Sequence, residues 1–208
     1  MTLKRQFQMH WRILGLSNVK VKEIAMNYKI KDSDIELLQK NGVQEDDIKH
    51  CVKVADKALE IAKRTGAKVD MELVGRGALF HDLGKAVTHE IEHGKIGAEI
   101  GKKIGLKKEI TDIMEKHIRG GITEDEAMEL DLPVKDYTLK TLEERIVIYA
   151  DRLVDIIMDG IVDIEGDELQ AEKRFEEILK GYPQYGKNEK TLKRYLGYHR
   201  EIQDLMKR

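Results

Sequence analysis

The sequence predicts an all-α protein, and three observations carry that expectation. Apolar residues recur at steps of three and four along almost the whole chain, capping signals precede many of these runs, and glycines follow them. Strand signals are nearly absent: the best candidate, "RIVIYA" at 145–150, lies inside a stronger helical pattern. A coarse reading gives helices near 18–28, 34–41, 46–64, 71–83, 92–104, 107–118, 123–129, 142–159, 168–180 and 188–206.

Each element has its own warrant. The helix near 18–28 follows a basic stretch, "MTLKRQFQMHWRILGL". Ser33 with Glu36 matches a capping box for the next helix, and Gly42 stands where its C-terminal glycine belongs. Along 46–64, Ile48, Val52, Ala55, Leu59 and Ala62 share one face, and Gly66 ends the run. The apolar run "GRGALF" marks a buried helix that leads into His81. Gly105 and Gly120 close the helices 92–104 and 107–118. Thr141 with Glu144 opens 142–159, where Ile146, Ala150, Leu153 and Ile157 keep the helical period. Asp167 with Gln170 opens 168–180, Gly181 closes it, and a charge-rich helix follows. The expected organisation is one helical domain at 33–165, an N-terminal accessory helix within 1–32, and accessory helices at 166–208 packed on the same domain.

Bulk properties bound the function. With 41% hydrophobic and 37% charged residues over 208 positions, the chain is globular and long enough to bury a core. A formal charge of -2 argues against a broad footprint for long duplex nucleic acid. The single cysteine, Cys51, excludes an internal disulfide framework and fits a reducing compartment. No apolar run has the length of a membrane span, and the N-terminus lacks the apolar core of a secretory signal, so the expected location is the cytoplasm.

The histidines are not evenly spread. His50, His81, His89, His93 and His117 fall in one segment, while His10 and His199 lie outside it and read as surface residues. His50 stands at the edge of an apolar helix face beside Val54. His81-Asp82 follows a buried run, where an ionised aspartate is costly without a cation. His117 shares a side with Ile113 and Met114, and Asp151 sits beside Val147 and Val154 on a strongly apolar helix. Taken alone, Asp151 reads rather as a partner of a neighbouring cation such as Arg152. Imidazoles and carboxylates without thiolates suit Fe, Mn, Co, Ni, Zn or, less well, Mg. Ligands on helices far apart in sequence would let a metal tie the bundle together.

At this point "HDLGK" at 81–85 resembles the signature of the HD-domain phosphohydrolases, particularly the HDIG subgroup. The likeness runs through "HDLGKAVTHEIEHGKIGAEIG", upstream through "HCVKVADKALEIA", and downstream through "KHIRGGIT" and "EERIVIYADRLVD". It covers roughly 46–158 and is similar to small archaeal HD proteins and to the HD part of bacterial endoribonuclease Y. The resemblance implies a helical bundle in which His50, His81, Asp82 and Asp151 hold a first divalent metal. Asp82 would bridge to a second, held also by His93 and His117. One or two ions are compatible with the family, and the presence of both later histidines favours two.

It further implies hydrolysis of a small phosphoester, a nucleotide by preference, through metal-activated hydroxide, with Asp82 and Lys85 catalytic. Lys85, Arg119 and His89 are the candidate substrate-binding residues. Lys85 also reads as a lysine balancing a helix C-terminus, and His89 as a surface residue. Gly120-Gly121 would either bring backbone N–H groups to the substrate or simply end a helix. Endoribonuclease Y carries a membrane anchor, a coiled coil and a KH module that this sequence does not show. That departure weighs against RNA cleavage but leaves a short RNA or cyclic nucleotide open. A di-iron oxygenase and a non-catalytic nucleotide-binding regulator are kept as alternatives, the latter with terminal helices that would serve a homo-oligomer.

One motif competes. His89-Glu90-Ile91-Glu92-His93 matches the H-E-x-x-H pattern of zinc peptidases, with Glu115 as a third ligand. That pattern needs a helix running through the motif, and Gly94 follows directly. It also leaves His50, His81-Asp82 and Asp151 unexplained, so the match is read as coincidence.

Overall fold

A computed structural model describes residues 28–162 and 169–207 and, among these residues, contains helices and no strand. The elements are α1 (Asp32–Lys40), α2 (Glu45–Thr65) and α3 (Met71–Phe80), then a 3₁₀ turn (Leu83–Ala86), α4 (His93–Lys103) and α5 (Lys108–Lys116). A second 3₁₀ turn (Ile118–Gly120), α6 (Glu124–Glu129) and α7 (Leu142–Met158) follow, and then α8 (Leu169–Lys173), α9 (Phe175–Gly181), α10 (Pro183–Gly186) and α11 (Glu189–Met206).

Sequence chemistry explains the central pair. α2 buries Ile48, Cys51, Val54, Ala55, Ala58, Leu59, Ile61 and Ala62, a wider face than the period alone marks, with Val52 half-buried at its rim. α7 is buried nearly all round from Ile146 to Val154, so "RIVIYA" is the middle of a core helix. Each fully buried Val, Leu or Ile among these contributes about 1.5–3 kcal/mol. α7 packs on α2 and α3, α3 also packs on α2 and α5, and α4 lies against α5 and the first 3₁₀ turn. α11 closes the other side against α7, α2 and the second 3₁₀ turn.

Several expected details hold. The Thr141–Glu144 capping box is present, and Gly42, Gly66, Gly105 and Gly120 all adopt positive φ. Others are corrected. α1 starts at Asp32 with Lys31 as an uncapping N-cap, because the chain enters the helix before Ser33 can cap it. The helix 71–83 stops at Phe80, since the first 3₁₀ turn tightens around Leu83–Ala86. Gly181 ends α9 without a left-handed residue, and 168–180 is two short helices broken at Arg174. His199 is half-buried rather than superficial: its Nδ1 meets the Tyr149 hydroxyl at 2.8 Å, and its ring stacks on Phe175. The helix near 18–28, His10 and the Asp167 cap lie outside the described residues.

One close approach positions everything else. Gly84 and Gly97 meet backbone to backbone, and a Cβ on Gly84 would overlap the carbonyl of His93 and the amide of Gly97. Two glycines therefore let α4 lie directly on the turn that carries Asp82. Gly84→Ala should cost about 1–3 kcal/mol as overpacking. Urea denaturation should show a lower midpoint at an unchanged slope; an unchanged midpoint would mean that this approach is not tight.

Candidate metal centre

Five helix ends and faces deliver the polar residues. His50 comes from α2, Asp151 from α7, His81 and Asp82 from the end of α3, His93 from the first position of α4, and His117 from the residue after α5. Asp82 is their common neighbour, and only 2% of it is exposed. Its Oδ1 lies 3.2 Å from His93 Nε2 and 3.3 Å from His117 Nε2. Its Oδ2 lies 3.1 Å from His81 Nε2, 3.7 Å from His50 Nε2 and 2.6 Å from Lys85 Nζ. Asp151 Oδ1 completes the first group at 3.1 Å from His50 Nε2 and 3.3 Å from His81 Nε2. The two oxygens of one carboxylate thus face two separate sets of imidazole nitrogens.

Tautomers decide what those nitrogens can do. His81, His93 and His117 each place Nδ1 2.6 Å from the carbonyl three residues earlier, on Ala78, Glu90 and Met114. A carbonyl only accepts, so each Nδ1 carries the proton and each Nε2 presents a lone pair. Yet the Nε2 atoms of His93 and His117 stand 2.8 Å apart, and the buried Nε2 of His81 has no hydrogen-bond partner. Lone pairs aimed at each other and at carboxylates repel unless a cation lies among them. The donor set therefore fits divalent metal, and the backbone carbonyls supply the outer contacts that orient metal-binding histidines.

Electrostatics agree. Burial opposes ionisation of Asp82, but the charge of His81 and the contacts from His117, His81 and His93 hold its pKa well below the carboxylate range. Asp151 is held low in the same way against its burial, by His81 and His50. Burial disfavours a charged His81, and the Asp82 and Asp151 carboxylates outweigh it, raising its affinity for positive charge. A metal ion answers the same demand as a proton there. His117, by contrast, is pulled down chiefly by burial, which keeps its lone pair free. Cys51 also lies within reach of His81 and Asp82, but burial pushes its thiol up to about 12 and it packs as an apolar group.

The remaining candidates occupy the rim of a cavity of about 410 Å³ that opens over these residues. Lys85 and Arg119 line it, and His89 stands at its edge with a 63% exposed side chain, bonded through Nε2 to Asp47 Oδ2 at 3.1 Å. Arg152 pairs with Asp155 at 2.8 Å, as its sequence position suggests. The glycine reading is settled by the backbone: Gly120 N–H donates to His117 and Gly121 N–H to Ile118, so neither amide faces a ligand. The peptidase reading fails on geometry. His93 begins α4 and His89 precedes it, so no helix runs through the motif, and Glu115 pairs with Lys135 at 2.6 Å.

Asp47, Asp155, Lys187 and Tyr195 also reach this region and were not singled out in the sequence. Asp155 follows Asp151 by one helical turn, and Asp47 precedes His50 by three residues, spacings that put each on the face of a candidate ligand. Burial and the Asp151 charge push Asp155 up to about 6. Lys187 and Tyr195 carry no sequence signal, because only the docking of α11 brings them near.

Comparison with known proteins now has a geometry to meet. A family model described as HD domain matches residues 47–154, the segment that spans every candidate ligand. The chain belongs to the HD-domain family. This is a family of metal-dependent phosphohydrolases. The uncharacterized protein MJ0778 of Methanocaldococcus jannaschii is 43% identical over 81% of this chain and 94% of its own length. A tRNA (cytidine(56)-2'-O)-methyltransferase of Thermoplasma volcanium is 38% identical over 70% of this chain, but that match spans only 44% of the methyltransferase. Ribonuclease Y of Petrotoga mobilis is 35% identical over 46% of this chain and 20% of its own. Among solved structures, the HD domain of the L. monocytogenes phosphodiesterase PgpH with cyclic-di-AMP covers 76% of this chain at a TM-score of 0.50 and 20% identity, which shows the shared HD fold.

Metal at these histidines would bind the folded HD domain and not the unfolded chain. An ion at about a hundred times its Kd should add about 2.7 kcal/mol, or about 5–10 °C in Tm for a domain of this size. Thermal melts with Mn²⁺ and with a chelator should differ by that amount near pH 7.5 and converge in acid, where protons compete with the ion for its ligands. Identical melts at the higher pH would count against metal at this centre.

Proposed function

We propose that this HD domain hydrolyses a small phosphoester, a nucleotide by preference. The observation that carries the reading is the single buried carboxylate of Asp82 facing two histidine sets, with Lys85 on its outer oxygen and a cationic cavity above. In this reading His50, His81, Asp82 and Asp151 would hold one divalent ion, and Asp82, His93 and His117 a second. Bound divalent metal supplies an acidified water and polarises the phosphoryl group.

The chain's own residues do the rest. Backbone carbonyls hold three imidazoles as neutral donors of a lone pair. Lys85 stays protonated, because although burial opposes its charge, Asp82 and then Asp151 and Asp47 more than compensate. Its ammonium lines the cavity 2.6 Å from Asp82 Oδ2, so it would stabilise the negative charge that grows on the phosphoryl oxygens during transfer more than the ground state. Arg119, which lines the same cavity, offers a planar fork to a phosphate group of the substrate. The cavity, about 410 Å³, is of the size that takes small ligands. No helix among the described residues is long and apolar enough to cross a membrane.

A nucleotide is favoured over other phosphoesters by the relatives. The PgpH domain is described with cyclic-di-AMP, and two relatives carry names concerned with RNA. The same facts support cleavage of a short RNA or cyclic nucleotide as the diester form of the reading. We place the protein in the cytoplasm, where such substrates and a reduced Cys51 coexist, and assign residues after about 165 as accessory helices of the same domain.

Elemental analysis of protein purified without chelator should find about two metals per chain, falling toward one in His117→Ala. Metal-loaded protein should cleave the chromogenic diester bis(p-nitrophenyl) phosphate or its monoester counterpart. Lys85→Ala should reduce kcat by about a hundredfold or more, the size of losing one charge-stabilising donor. Full metal content with no turnover of any mono- or diester would defeat the hydrolase reading. Oxygen uptake by the iron form would put the oxygenase in its place.

A further inference from the structure

The cavity is also lined by three cations that the metal-facing residues leave unexplained. Arg119, Arg152 and Lys187 converge there beside the Tyr195 ring. Arg152 is engaged: Nη1 donates to Asp155 Oδ2 at 2.8 Å and Nη2 to the Tyr195 hydroxyl at 3.1 Å. Arg119 and Lys187 differ, since among the described residues neither side chain has a hydrogen bond or an ion pair. The Lys187 ammonium loses hydration and faces the like charges of Arg152 and Arg119, which together lower its pKa against the pull of Asp155.

Both residues also stand in backbone geometry that disfavours a side chain. Arg119 is left-handed at φ 50, ψ 27. Lys187 has φ 58, ψ -69, and Asn188 N–H donates to Gly186 O at 2.7 Å, which makes Lys187 the centre of a γ-turn of the strained, positive-φ kind. Glycine would suit either position better. The surroundings nevertheless enforce both. Arg194 Nη1 donates to the Arg119 carbonyl at 2.9 Å, and Lys187 N–H donates to Pro183 O at 2.7 Å. Gly186 lies so close to the Leu179 carbonyl that a Cβ would not fit. Strain kept in this way, with cationic side chains in place of glycine at a cavity mouth, marks a binding role.

We propose that Arg119 and Lys187 form a clamp for a second, non-scissile phosphate, so that the preferred substrates are phosphoesters carrying an additional terminal phosphate. A phosphate dianion between the two relieves the repulsion among three cations, with the guanidinium binding two oxygens and the ammonium a third. The scissile phosphate then lies over Asp82 and Lys85, and the terminal one is held by the clamp. Arg119 lies inside residues 47–154 and Lys187 outside them, so the clamp joins the family segment to the C-terminal helices. The inference rests on the reading that the cavity receives a phosphoester.

The test compares two dinucleotides made resistant to cleavage by phosphorothioate linkages, one with a 5′ hydroxyl and one with a 5′ thiophosphate, by calorimetry on Mn²⁺-loaded protein. The thiophosphate form should bind about tenfold tighter, the scale of charge-assisted bonds to one phosphate. That ratio should collapse toward one in Lys187→Met and Arg119→Gln and persist in Lys187→Arg. Lys187→Gly relieves the backbone, so it should melt no lower than the parent and still lose the ratio. Equal affinities in the parent protein, binding of neither ligand, or a ratio that survives Lys187→Gly would overturn the clamp. Cleavage of bis(p-nitrophenyl) phosphate, which has no second phosphate, reports on the hydrolase reading separately.

Discussion

A carboxylate that is almost completely buried has to be neutralised from several sides, and Asp82 is such a group. Taking one ion out of water costs several kcal/mol even after the protein relaxes. Here Lys85 supplies a positive charge directly, and His50, His81, His93 and His117, each from a different turn or helix, point Nε2 atoms at the carboxylate that a shared cation would satisfy. The fold can be understood as the arrangement of helices that brings these groups to one point. Gly84 and Gly97 exist for the same end: without them α4 would stand off, and His93 would not reach Asp82.

A second regularity sits beneath that one. The three imidazoles His81, His93 and His117 use the same device, an Nδ1–H to the carbonyl three residues back. His81 and His117 directly follow α3 and α5, where the last carbonyls lack intrahelical partners. His93 opens α4 and uses the Glu90 carbonyl of the preceding turn, which also accepts its own backbone N–H. In each case the bonded carbonyl fixes the tautomer and turns Nε2 inward.

The sequence discloses this centre unevenly, for physical reasons. His50 and Asp151 are polar residues beside the apolar faces of long helices, and His81-Asp82 ends a run that must be buried, so each conflicts with its surroundings in a way that periodicity exposes. The Thr141 capping box and the glycines at 42, 66, 105 and 120 are equally local and were legible, whereas the Thr123–Glu126 box went unread. Ser33 misled because α1 already begins at Asp32, and Gly181 because it ends α9 without turning left-handed. Asp155 carries no such conflict, because a carboxylate three residues after Arg152 is an ordinary ion-pair partner, which it is. His199 read as superficial because Tyr149 and Phe175, which enclose it, come from distant elements. Lys187 and Tyr195 acquire meaning only when α11 docks, and no short-range pattern encodes that.

The grip of α11 on the turn after His117 has a consequence for the order in which the molecule is made. Arg194 and Tyr198 donate to the carbonyls of Arg119 and Gly120, and Tyr195 packs beneath. During synthesis, residues 50–151 leave the ribosome well before 189–206. Until α11 docks, the Arg119 turn lacks these donors while every candidate ligand has already been made. The wall on which the proposed clamp stands is thus the last part of the cavity to be finished.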